Sequence, residues 1–174
     1  MKIVVDIGHA RGTGARGNGK EEHAVVGDIA AALADKLATR GHEVRVVDFP
    51  EKDNRADLVA TVREINSIKP DFSISLHADA SDNPMAHGGH VCYFPGSQKG
   101  IQLARAISWH LVGLVPGRSE RTVARRDLYV LKNTVCPAVL VECGFITHPG
   151  DCELMVESPS LVAEAIAAGV EDYV

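Results

Sequence analysis

Short, nearly continuous apolar runs alternate along this chain with longer stretches in which apolar residues recur every three to four positions. The runs at 2–7 (Lys-Ile-Val-Val-Asp-Ile), 72–77 (Phe-Ser-Ile-Ser-Leu-His) and 138–142 (Ala-Val-Leu-Val-Glu) are rich in Val, Ile and Leu. Runs of that length, bounded by turn-forming residues, read as strands buried on both faces. Further strands are predicted at 43–48 and 90–94, and a short one at 128–131 (Leu-Tyr-Val-Leu). Helical periodicity covers about 22–40 (Val25, Val26, Ile29, Ala30, Leu33, Leu37), 55–68 and 98–114. Gly41 closes the first helix, Lys69-Pro70-Asp71 breaks the second, and Pro149-Gly150 precedes a C-terminal helix whose Ala-rich part spans about 160–173. Strands alternating with helices predict an α/β fold: a three-layer sandwich with a central, mostly parallel sheet and helices on both faces.

Composition narrows this picture. With 174 residues, 45% of them apolar and 24% charged, residues 1–174 are expected to form a single globular domain. A net charge of −5, with basic residues clustered only in pairs such as Arg125-Arg126, argues against a nucleic-acid partner. No apolar stretch approaches the roughly 18 residues of a membrane span. Met1-Lys2 runs straight into the first strand, so the expectation is a protein made in the cytoplasm without a signal peptide. Cys92, Cys136, Cys143 and Cys152 show no Cys-x-x-Cys spacing and are expected to be free thiols. Strand alternation points Cys143 away from the face that carries Glu142, which makes it a small buried hydrophobe rather than a nucleophile. The Gly-rich stretch 8–20 fits neither a dinucleotide fingerprint nor a Walker loop.

The chemistry lies at strand ends. His9 follows the first run, while His77 and Glu142 end the other two, and ligand crevices in open α/β sheets lie at the carboxyl ends of strands. Two imidazoles need a third ligand to hold a catalytic zinc ion. At about 100° per residue, the apolar stripe of the first helix centres within roughly 20° of Glu22 and about 120° from Glu21. Glu22 therefore heads the face packed on the sheet, where a carboxylate must meet a cation or suffer desolvation. The other histidines read differently. His42 follows a turn glycine, and His23 and His110 lie on helices facing solvent or neighbours. His87 and His90 flank Gly88-Gly89 in what reads as a flexible surface loop, and either is the substitute should one ligand be misassigned.

The pieces Val-Asp-Ile-Gly-His-Ala (5–10), Glu22 opening a helix, Ser-Leu-His-Ala-Asp (75–79) and Pro-Ala-Val-Leu-Val-Glu-Cys-Gly-Phe-Ile-Thr (137–147) resemble the zinc-dependent N-acetylmuramoyl-L-alanine amidases of the amidase-3 type. The Leu128–Leu131 segment resembles the same family, and the ordered set covers nearly the whole chain. The resemblance implies one zinc ion on His9, Glu22 and His77, with Glu142 as the catalytic carboxylate. It implies hydrolysis of the amide between N-acetylmuramic acid and L-alanine in bacterial peptidoglycan. Asp79 and His148 stand where the family often has Asn, which makes them the candidate substrate contacts. The stretch Ala78–Gly89 is too short for a helical insertion over the metal, so an open site is expected.

With its first strand starting at once, the chain would be the catalytic domain of a phage or prophage endolysin or of a non-secreted autolysin, monomeric as an isolated domain. An exported enzyme with its leader removed is the alternative, and any wall-binding module would lie outside these residues. Two rival readings use the same residues: a zinc carboxypeptidase or peptidase on the stem peptide, and a peptidoglycan-binding module that has lost activity. The second would show replacement of Glu142 or of a ligand, and none is replaced.

Overall fold

The three apolar runs become neighbouring strands at the centre of one sheet. The computed structural model describes residues 1–53 and 55–174 in full and residue 54 by its backbone. In chain order the elements are β1 (Lys2–Ile7), β2 (Arg16–Gly17), β3 (Lys20–Glu21), α1 (Glu22–Thr39), β4 (Glu43–Val47), α2 (Asn54–Ile68), β5 (Phe72–Asp79), β6 (His90–Tyr93), α3 (Gln98–Leu114), β7 (Thr122–Ala124), α4 (Tyr129–Asn133), β8 (Ala138–Phe145), α5 (Pro149–Glu157) and α6 (Pro159–Tyr173). The six-stranded sheet has the order β4-β1-β5-β8-β6-β7. Its first four strands run parallel, while β6 lies antiparallel to β8 and carries β7 parallel to itself.

Alternation along the strands sorts side chains into two cores. Ile3, Val5, Ile74, Leu76, Val139, Val141 and Cys143 pack with Val26, Ile29 and Leu33 of α1, Leu103 and Ile107 of α3 and Ile166 of α6. Val4, Cys92, Ala138 and Leu140 point the other way, onto Val62 and Ile65 of α2 and Val130 and Leu131 of α4. Helices thus cover both faces of a mostly parallel sheet, which is the predicted architecture. Each fully buried Leu or Ile contributes about 1.5–3 kcal/mol. All four cysteines are free thiols, and Cys143 lies on the α1 side, with its thiol pushed up by burial.

Four local expectations are corrected. Residues 128–131 do not form a strand: Tyr129–Asn133 is a single helical turn, in which the consecutive residues Val130 and Leu131 both reach the same core. A strand would turn one of them away. The edge strand is instead Thr122–Ala124, inside the basic connector. The Gly-rich stretch contains a small hairpin, β2–β3, turned by Asn18 and Gly19 with φ of 49° and 72°. The C-terminal helix is two helices, because Pro159 opens α6 directly after the Ser158 cap of α5.

One buried polar group has a measurable effect on stability. Asp6 sits under the sheet, accepting hydrogen bonds from Ser75 and Thr61, and Asp57 of α2 lies beside it with Oδ1 lacking a partner. Burial, then the charges of Asp6 and Asp48, push the Asp57 carboxyl up to about 6. The unfolded chain therefore releases this proton first as pH rises from about 4 to 6, so folding loses stability across that window and stays penalised above it. Asp57→Asn is expected to stabilise the protein by on the order of 1–2 kcal/mol at pH 7–8, with the gain vanishing toward pH 4. Urea unfolding at both pH values checks this, and an equal effect at the two would contradict it.

Candidate metal centre

The end of β1 is fixed against the end of β5. The Gly8 amide donates to the Leu76 carbonyl at 2.9 Å. A Cβ on Gly8 would stand 2.5 Å from both Leu76 O and His77 Cε1, so only glycine lets the two strand ends come this close. His9 follows with φ of 62°, a left-handed conformation uncommon for a side chain of its size. The β2–β3 hairpin then folds back and delivers Glu22 as the first residue of α1, 2% exposed.

Glu22 joins the two histidines. Its Oε1 lies 3.1 Å from His77 Nδ1 and accepts the Ala78 amide at 3.0 Å. Its Oε2 lies 3.4 Å from His9 Nε2 and accepts the Ala15 amide at 2.7 Å. The His9 and His77 rings meet edge to face, 4.9 Å apart. Glu21 turns outward instead, accepting the Gly12 amide and lying 3.8 Å from Arg16. Among the described residues, His9, Glu22 and His77 are the one group of three whose donor atoms all lie within 4.8 Å of one another.

This set fits a divalent metal. A tetrahedral ion with bonds of about 2.0–2.1 Å places its ligand atoms about 3.3–3.4 Å apart, which the contacts of Glu22 with the two imidazoles already approach. The charges agree. Burial raises the Glu22 carboxyl, but the His77 hydrogen bond and the two imidazoles outweigh it and hold the group below its usual range. His77 loses basicity to burial but gains more from Glu22, Glu142 and Asp6. Glu22, the acid held in its charged form between the two imidazoles, gives the cluster an anionic oxygen to offer a cation.

Glu142 stands next to the ligands, in register with His77 on the neighbouring strand. It is half-buried, its Oε2 has no partner among the described residues, and burial pushes its carboxyl up to about 7. On the far side of β8, His90 pairs in register with Glu142. His90 begins β6, in keeping with the strand predicted at 90–94, and the structure corrects only its placement at the surface: it is 6% exposed, and its imidazole is pushed down to about 4, first by burial and then by the Arg118 charge.

Residues past the strand ends form a wall. The Asp79 carboxylate is held by Arg118, whose guanidinium also donates to Gly88 O at 3.4 Å and lies 4.3 Å from the Phe145 ring centre. His148 caps α5 by accepting the Asp151 amide through Nδ1 at 3.2 Å and stacks on His87 at 5.0 Å. Of the remaining histidines, His42 and His110 pair with Glu171 and Asp172, and His23 is buried against Asp48 at 3.0 Å. His90 and Arg118 are the two residues at this site that the apolar pattern did not single out. The Gly88-Gly89 pair before an apolar run was the available signal for the first, and the Arg-rich stretch 118–126, which follows Pro116-Gly117, for the second.

A doubly covered α/β sheet with a His, Glu, His cluster at its strand ends and a carboxylate beside it defines a class of metal-site hydrolase folds. The model of the N-acetylmuramoyl-L-alanine amidase family matches residues 3–172, and this chain belongs to that family of hydrolases. The chain is 31% identical to the N-acetylmuramoyl-L-alanine amidase LytC of Bacillus subtilis (strain 168) over 176 residues, which cover 98% of it but 35% of that protein. It therefore spans about a third of the length of that relative. Among solved structures, the amidase AmiC2 of Nostoc punctiforme superposes with a TM-score of 0.86 at 27% identity, covering 99% of this chain and 96% of AmiC2. The catalytic domain of the CD27L endolysin, directed at Clostridia difficile, superposes with a TM-score of 0.87 at 27% identity, covering 99% and 97% of the two chains.

Proposed function

We propose that this chain is a one-zinc catalytic domain that cleaves the amide between N-acetylmuramic acid and L-alanine in peptidoglycan. The observation that carries the reading is the His9, Glu22, His77 cluster with Glu142 in register beside it. Zinc bound there would activate a water and polarise the scissile carbonyl. Glu142 receives the proton of the attacking water and passes it to the leaving alanine nitrogen. A carboxyl pushed up to about 7 by burial suits both halves of that transfer near neutral pH. Asp79, positioned by Arg118, and His148, stacked on His87, are the proposed substrate contacts.

The domain would act as a monomer on the wall, as an endolysin or autolysin catalytic unit, the first supported by its likeness to the CD27L domain. No helix of the structure is long and apolar enough to cross a membrane. The segment between β5 and β6 forms no helix, which supports an open site. The test is digestion of purified peptidoglycan by the isolated chain with no partner added. The expected result is release of free L-alanine amino groups, abolished by chelation and restored by zinc. Release of single terminal amino acids would point to a carboxypeptidase, and binding without release would point to an inactive module. Either overturns the proposal.

A further inference from the structure

We propose that His90 is a positioning residue for Glu142, its buried imidazole fixing which carboxylate oxygen faces the metal cluster; this rests on the reading of Glu142 as the catalytic carboxylate. His77, Glu142 and His90 stand side by side on three adjacent strands, β5, β8 and β6, paired in register. Partners in register share a sheet face, and here it is the face of Leu140 and Cys92. His90 is 6% exposed, and its Nδ1 has no partner; neither has Oε2 of Glu142. Only two other side-chain atoms share that condition among the described residues, on Arg40 and Asp57. Leaving a buried polar atom unpaired is costly. No direct hydrogen bond joins the two groups, and a single bridging water would relieve both.

The sequence before His90 makes the close approach possible. A Cβ on Gly89 would lie 3.0 Å from the Glu142 carbonyl oxygen and press on Leu111, so β6 can start tight against β8 only after glycine. The charge state suits the role as well. Burial, then Arg118, keeps the imidazole neutral at any pH where such a site works. A neutral donor holds the carboxylate without the ion pairing that would lower its basicity. Lys or Arg at this place would quench the base they were meant to orient.

The test compares His90→Phe, His90→Asn and Glu142→Gln, each in the zinc-loaded full chain on a soluble muropeptide. His90→Phe is expected to lower kcat about tenfold or more with KM and zinc content unchanged. His90→Asn, which keeps a donor, is expected to recover most of the loss. In the Glu142→Gln background, His90→Phe is expected to add no further loss, since the residue acts through that carboxylate. In the metal-free protein, the Glu142 carboxyl carbon resonance, assigned by its disappearance in Glu142→Gln, is expected to move in His90→Phe more than other Glu signals. His90→Ala serves in the same comparisons if the Phe variant does not fold. A kcat within about twofold of the parent, or an equal loss in the Glu142→Gln background, would overturn the proposal. Near-normal cleavage by Glu142→Gln alone would instead overturn the underlying role of Glu142.

Discussion

Glu22→Ala is expected to give a folded protein that no longer retains zinc through gel filtration and no longer cleaves peptidoglycan. The side chain is 2% exposed and bridges both imidazoles, so its removal takes one ligand and also frees the two histidines from their common partner. Loss of groups merely supporting a ligand costs about 10–100-fold in metal affinity, and loss of the ligand itself should exceed that range. The fold should survive, because α1 is held by Val25, Val26, Ile29, Leu33 and Leu37 rather than by its first residue. Glu21→Ala is the control. Its carboxylate faces Arg16 and the Gly12 amide, so that variant is expected to keep its zinc. Zinc retained by Glu22→Ala and lost from Glu21→Ala would mean that the adjacent carboxylate is the ligand.

Glu142→Gln should separate stability from activity. Gln keeps the shape of the side chain but can neither take a proton from water nor give one to an amine. The expected loss in kcat is on the order of 10²–10⁴-fold, with zinc content unchanged. Stability should move the other way. Burial raises the Glu142 carboxyl to about 7, so ionising it above that pH works against the fold. The metal-free variant is therefore expected to melt no lower than the metal-free parent at pH 8. A variant that hydrolyses at near-parental rate, or that loses its zinc, would remove Glu142 from the proton-transfer role.

Much of this was readable from the residues because of how burial shapes a sequence. β1, β5 and β8 are covered on both faces and are mostly apolar, so an imidazole or carboxylate at or just past the end of each stands out. Glu22 was legible for a similar reason: a helix packed on a sheet fixes one face, and the periodicity of Val26, Ile29 and Leu33 shows which residue heads it. What escaped depends on partners far away in the chain. His90 follows two glycines, and only the choice of β8 as its neighbour buries it. β7 is three residues at the sheet edge, too short to carry a period. Leu128–Leu131 is apolar enough for either state, and the shape of the space over Leu140 and Ala138 selects a helical turn.

The position of β8 has a consequence for the order in which the molecule is completed. It is the last of the six sheet strands in chain order, yet it lies between β5 and β6, both made earlier. Until residues 138–145 arrive, those two strands have no common neighbour, and the sheet waits as two pieces with open edges. His9, Glu22 and His77 belong to the piece already built, so a nascent chain can gather its metal donors well before it holds Glu142. On the proposed reading, hydrolytic competence thus waits for β8. On that reading, a chain that stops short of β8 would hold its three metal donors without the carboxylate that works beside them.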